Sequence, residues 1–156
     1  MVLLGLHHGL IPIYAIQLEV LGGVTLFPVL AMAGAGQVGA ALAIYTLARK
    51  LGDEKMKGII TGALPAGILG IGEPLIYGVT LPLGKPFITA GLGAGFGGAY
   101  VMLMGVASSA WGPSGWVALP LMQNGMIHYA IGLLISYLAS FIITRLFIKG
   151  SDLANV

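Results

Sequence analysis

Glu73 is the residue of this chain best placed to do chemistry. It sits in Gly70-Ile71-Gly72-Glu73-Pro74, and no other charged residue lies between Gly58 and Gly84. A carboxylate within a membrane core costs several kcal/mol, so it is neutral, paired or gripping a ligand. The flanking glycines and prolines break the helix around it. Broken backbone at membrane depth survives only where it is buried in protein or lines a cavity. One acid on broken backbone reads as a substrate site, with the carboxylate as hydrogen-bond acceptor or general base.

The other polar candidates are few. His7 and His8 are adjacent, so on a helix they point about 100° apart and cannot both face one ligand. One packs in the bundle and the other lies at its edge; metal-ligand spacing is absent. His128 opens an apolar run and reads as interfacial. Gln37 and Asn124 either donate to a ligand or cross-link helices. Glu19 stands beside Gly22-Gly23 and reads as a wet loop acid. Met102, Met104, Met122 and Met126 read as filler at helical spacing.

The elements that must hold these residues are membrane elements. Apolar residues make up 58% of the chain and charged residues only 8%, against about 25% charged in soluble domains. Glycine is 26 of 156 residues and recurs inside the apolar runs, as is common in membrane helices. Cysteine is absent, which excludes disulfides, thiolate metal sites and a Cys nucleophile. No cofactor motif stands out. The net charge of +2 is too small and too scattered for a nucleic-acid surface. Met1 leads into apolar sequence with no basic n-region, which is not the pattern of a cleavable signal. The abrupt start suggests a fragment or half of a larger transporter.

Three runs are long and apolar enough to cross a bilayer, at 24–48, 87–107 and 126–148, since a span needs about 20 residues. Residues 58–84 are equally apolar but carry Gly62, Pro65, Gly67, Gly70, Gly72, Pro74, Gly78, Pro82 and Gly84. Interior Pro costs about 3 kcal/mol and Gly about 1, so this segment is expected to be a re-entrant hairpin or a broken helix pair. Four of the seven Lys/Arg lie in 49–57, Lys85 follows the hairpin, and Arg145 and Lys149 end the last span. The positive-inside rule places 49–57 and the C-terminus in the cytoplasm. The uncharged loop 108–125, with Trp111 and Trp116 for an interface, falls outside. That parity requires residues 58–84 to enter and leave on the same side. The expected fold is an all-α membrane protein with several transmembrane helices and a re-entrant hairpin around 58–84.

Gly34-Ala35-Gly36-Gln37-Val38-Gly39 and Gly93-Ala94-Gly95-Phe96-Gly97-Gly98 both fit G-x-G-x-x-G. Neither follows a strand and both lie inside spans, where a dinucleotide has no access. Close helix packing through pairs such as Gly91/Gly95 and Gly93/Gly97 accounts for them better.

Gly70-Ile71-Gly72-Glu73-Pro74-Leu75-Ile76-Tyr77-Gly78-Val79-Thr80-Leu81-Pro82, followed by Lys85-Pro86-Phe87, resembles the signature of the enzyme IIC membrane component of the sugar phosphotransferase system, in its glucose, sucrose and β-glucoside superfamily. Three further blocks support the resemblance: Gly5 to Pro12, Ala31 to Ala41, and Gly112-Pro113-Ser114-Gly115 through Ala118 to Leu121. It covers nearly the whole chain and is closest to the N-acetylmuramic acid permeases.

The resemblance implies roles. Glu73 would accept a hydrogen bond from the sugar hydroxyl to be phosphorylated, and His7 would be a second sugar contact. Gly72, Gln37 and backbone groups of the broken segment complete the expected binding set. Many members have Thr where this chain has Gly72, which removes one hydroxyl contact. Residues 1–156 resemble the C-terminal, sugar-binding half alone; the N-terminal scaffold half and the IIB domain with its phosphoryl-carrying cysteine are absent. The implied partners are the sugar, a phosphorylated IIB domain, the N-terminal half of enzyme IIC and membrane lipid, with a homodimer in the full permease. The implied location is the bacterial cytoplasmic membrane. The competing readings are an ion-coupled transporter fragment with Glu73 as proton carrier, and a non-transporting remnant.

Overall fold

The computed structural model describes residues 6–153, with side chains from His8 onward. Its described elements are helical, joined by turns and two isolated bridges, Val24 to Ser108 and Ser108 to Met122. Three helices are long and apolar enough to cross a bilayer: α2 (Leu26–Leu51), α6 (Lys85–Leu103) and α7 (Met126–Phe147). At 1.5 Å per residue they run about 39, 28 and 33 Å, against a hydrocarbon core of about 30 Å. The expected spans and the all-α membrane class are borne out. The first apolar stretch forms a 3₁₀ turn, Leu6–Leu10, and the short helix α1 (Ile11–Leu21). Glu19 therefore stands exposed on a helix, not in a loop; the chain turns only at Gly22, where φ is +70°.

Glycine faces let α2, α6 and α7 approach closely. A Cβ on Gly93 would overlap Ser140, and one on Gly97 would lie 2.5 Å from the Gly132 carbonyl oxygen. On α2, a Cβ on Gly36 would sit 2.8 Å from the Ala94 methyl, and one on Gly39 would sit 2.9 Å from Ser140 Cβ. Small residues at helix interfaces are how apolar helices associate where no hydrophobic force separates protein from lipid. Hydroxyls bridge the same seam: Thr89 Oγ1 to Thr144 Oγ1 at 2.8 Å, and Ser140 Oγ to the Ala90 carbonyl at 3.2 Å. Gly91 and Gly95 depart from expectation. Both are exposed with nothing within 4 Å of a built Cβ, so of the two spaced pairs only Gly93/Gly97 packs within this chain.

Residues 54–83 form the hairpin. Gly52, at φ +74°, ends α2, and Asp53 caps α3 (Glu54–Ile68) by accepting the Met56 N–H at 2.9 Å. At about 22 Å, α3 is too short to cross. Pro65 supplies no N–H to its last turn, and the helix stops three residues later. The chain turns through Leu69 to Gly72 and returns as α4 (Glu73–Leu75), a wide π turn (Ile76–Thr80) and α5 (Leu81–Leu83). Pro74 and Pro82 sit in the first turns of these short pieces, where a missing N–H costs least. Both hairpin ends meet the same end of the bundle. Met56 and Leu83 share a buried cluster with Ala48, Ile148 and Leu153, and Lys85 bonds Asp152 of α8 (Gly150–Leu153) at 2.6 Å. The re-entrant reading of 58–84 is thus borne out.

The loop 104–125 folds against the bundle and leaves its two tryptophans half-exposed. Ser108, Gly115, Ala118 and Met122 are buried, and Trp111 and Trp116 pack half-buried on the cluster around Tyr14, Phe27, Met32 and Tyr129. Trp111 lies 5.9 Å from Tyr14, ring to ring. With few polar side chains, the loop satisfies its backbone by pairing with Val24 and Leu121 and burying apolar faces. Of the four methionines read as filler, Met122 is buried, while Met102, Met104 and Met126 are exposed.

Candidate functional site

The tip of the hairpin carries Glu73. Gly72 packs on Gly34 of α2, whose Cα lies 3.6 Å from a built Cβ on Gly72. Gly34 stands eight residues into α2, so the tip is about 12 Å below one end of that helix and roughly 26 Å above the other. The tip turns at Gly70, where φ is +104°. A Cβ there would overlap the Ser114 carbonyl and come within 2.7 Å of the Ser114 nitrogen. Ser114 Oγ donates to the Gly70 carbonyl at 3.0 Å. Gly115 follows at φ +61°; a Cβ on it would lie 2.6 Å from the Ile68 carbonyl oxygen. Two glycine backbones from segments 44 residues apart are therefore pressed face to face.

Glu73 opens the returning arm and is exposed. Among the described residues nothing hydrogen-bonds or ion-pairs with its carboxylate. Around it the hairpin presents Leu69, Ile71 and Tyr77, each about half exposed. The chain's lysines and arginines lie on element ends at the opposite end of the bundle: Arg49 and Lys50 in the last turn of α2, Lys55 and Lys57 on α3, Lys85, Arg145 and Lys149. The length of α3 separates them from Glu73 by about 20 Å. A carboxylate with no lysine or arginine near it is available to accept from a ligand hydroxyl.

The expected site residues divide. Gly72 and Glu73 are adjacent at the tip, and Gly72 is buried. Gln37 is 5% exposed, and its Oε1 accepts from the Thr80 hydroxyl at 2.5 Å. That bond joins α2 to the returning arm, so the cross-linking role is the one its carbonyl fills. Asn124 likewise serves the loop, accepting the Ala107 N–H at 2.9 Å. The side chain of His7 lies outside the described residues. His8 is exposed on the 3₁₀ turn. His128 is half-buried and its Nδ1 pairs with the Tyr100 hydroxyl at 2.9 Å. Sequence reasoning missed Ser114 and Thr80. The Gly-Pro-Ser-Gly run marked a turn at Ser114, but nothing local linked that turn to Gly70.

A broken membrane hairpin that carries one exposed carboxylate at its tip defines a membrane transport component. A family model for the phosphotransferase system EIIC matches residues 1–95, more than half of the chain, and the chain belongs to that family. It is 52% identical over 149 residues to the MurNAc-GlcNAc-specific EIIBC component of the phosphotransferase system of Staphylococcus saprophyticus, covering 94% of this chain and 31% of that protein. It is 49% identical to the N-acetylmuramic acid-specific EIIBC components of Photorhabdus laumondii and Aliivibrio fischeri, covering 94% and 98% of this chain and 32% and 34% of those proteins. The chain thus spans about a third of the length of the curated relatives it matches. No solved structure matches it.

Proposed function

We propose that this chain is the sugar-holding part of a phosphotransferase-system permease for N-acetylmuramic acid or a closely related glucoside. The observation that carries the reading is Glu73, exposed and without a partner among the described residues, on a glycine-built tip in an apolar segment. Glu73 accepts a hydrogen bond from the sugar hydroxyl that will be phosphorylated, and backbone groups of residues 70–72 flank the ring. His7 supplies a second contact. The carboxylate then takes the hydroxyl proton as that oxygen attacks the phosphoryl group carried on the cysteine of a IIB domain; the S–P bond breaks and the cysteine leaves as its thiolate. The specificities of the relatives, for MurNAc-GlcNAc and for N-acetylmuramic acid, favour an N-acetylated muramyl sugar.

Residues 49–57, Lys85 and the tail after Phe147 face the cytoplasm in this proposal, following the basic charge gathered at that end. The hairpin enters from the cytoplasmic side, and phosphorylated IIB reaches the sugar from there. The N-terminal half of enzyme IIC supplies the scaffold and the homodimer contact, and residues 1–156 act as the moving, C-terminal transport half.

The test is Glu73→Gln in a complete permease that carries these residues. The swap keeps size and removes a costly charge, so insertion and folding should persist. An amide accepts more weakly than a carboxylate and takes no proton. Sugar binding should weaken by at least about 1.5 kcal/mol, over tenfold in affinity, and phosphoenolpyruvate-dependent phosphorylation should be lost. Near wild-type values in both assays would make Glu73 structural.

A further inference from the structure

We propose that Ser114 is a positioning residue that sets the Glu73 carboxylate by holding the tip of the hairpin. The proposal rests on the sugar-site reading of Glu73. The tip is built from Gly70 and Gly72, which have no side chains to lock it by packing. It must be held through its backbone. The Ser114 hydroxyl provides such a hold, donating to the Gly70 carbonyl at 3.0 Å from outside the hairpin. On the other side, Gly72 rests on Gly34, and Gly34 in turn has Ser114 Oγ 3.3 Å from its own built Cβ. One hydroxyl therefore sits at the junction of α2, the tip and the loop.

Ser114 is itself fixed. The next carbonyl, that of Gly115, accepts the Tyr129 hydroxyl at 3.2 Å, and Tyr129 is fully buried on α7. A continuous line of contacts runs from α7 through Gly115 and Ser114 to Gly70, three residues before Glu73. Losing the Ser114 hydroxyl leaves the Gly70 carbonyl without this donor and loosens the glycine-rich turn, which then keeps only its backbone packing on the loop and its own short-range bonds, such as Gly70 N–H to the Gly67 carbonyl and Ile71 N–H to the Ala66 carbonyl. Glycine has the largest conformational freedom to regain, so Glu73 then samples positions other than the one that meets the sugar hydroxyl. A misplacement of about 1 Å is enough to weaken a directed hydrogen bond.

The experiment is a double-mutant cycle in a complete permease carrying these residues, read as binding of N-acetylmuramic acid to purified protein. Ser114→Ala should lower affinity by roughly threefold to tenfold, the worth of one hydrogen bond. Ser114→Thr, which keeps the hydroxyl, should restore it. In the Glu73→Gln background, Ser114→Ala should add no further loss, because the residue it positions is already disabled. Unchanged affinity for Ser114→Ala overturns the proposal while leaving the sugar site standing. An equal loss in both backgrounds, or a Ser114→Ala protein that does not fold, also overturns it, since either assigns Ser114 a structural role only. Unchanged affinity for Glu73→Gln alone overturns the sugar-site reading and this proposal with it.

Discussion

Alanine at Gly70 and alanine at Gly72, two residues apart, should have opposite consequences. At Gly70 the backbone holds φ +104°, a conformation that costs an L side chain about 1–3 kcal/mol. The new Cβ would overlap the Ser114 carbonyl and lie within 2.7 Å of its nitrogen. Both are backbone atoms, so no rotamer relieves the clash, and forced separation costs about 1–3 kcal/mol more. That separation also lengthens the Ser114 to Gly70 hydrogen bond, 3.0 Å in the native packing, a further loss of about 1 kcal/mol. Together these make Gly70→Ala destabilising by about 3–7 kcal/mol, enough to detach the tip from the loop. At Gly72 the backbone is at φ −81°, ψ −16°, and a Cβ would meet only the Gly34 Cα, at 3.6 Å. Gly72→Ala should be neutral or stabilising by up to about 1 kcal/mol. Thermal unfolding of purified protein in detergent, followed by tryptophan fluorescence, is the assay; Trp116 lies two residues from Ser114 and reports on this contact. Equal melting midpoints for the two variants would refute the face-to-face packing of tip and loop.

Gly93→Ala and Gly91→Ala make a second contrast. The first drives a methyl into Ser140 and should cost about 1–3 kcal/mol, whereas the second faces open space and should cost nothing, as melting of the two proteins in detergent would show. At the basic end of the bundle, the Lys85 ammonium, bonded to Asp152, and the Lys149 backbone N–H hold the Asp152 carboxyl below its ordinary value of 3.8. A lowered carboxyl contributes stability that is fully present above the ordinary value and is lost as pH falls through the lowered one. The melting difference between wild type and Asp152→Asn should therefore be constant at neutral pH, begin to shrink below the ordinary value and close only once the pH has fallen through the lowered one; a difference that does not shrink in acid would contradict it. Sidedness is testable because the chain has no cysteine. A single cysteine at Lys55 should react with an impermeant thiol reagent only from the cytoplasmic side, and labelling from outside intact cells would invert the orientation proposed for the hairpin.

Much of this architecture is written locally in the chain. Hydropathy and length mark α2, α6 and α7, because a bilayer imposes the same requirement on every span whatever it packs against. The hairpin is equally local: Pro and Gly break a helix through their own backbone chemistry, and the basic residues in 49–57 and at Lys85, on either side of the segment, favour its returning. Glu73 stands out for the same reason, as a single carboxylate in an apolar run. What faces what is another matter. These helices are apolar on every side, so no polar stripe marks which glycines look inward. Gly93/Gly97 and Gly91/Gly95 are indistinguishable by spacing, and only the neighbouring Ser136 and Ser140 separate them. Nothing local to Gln37 names the partner of its carbonyl, Thr80, which lies 43 residues away. The inward fold of the loop with Trp111 and Trp116, and the meeting of Ser114 with Gly70, depend on three segments distant in sequence closing on one another. Backbone contact between glycines has no side-chain signature at all, so only the tertiary structure could decide it.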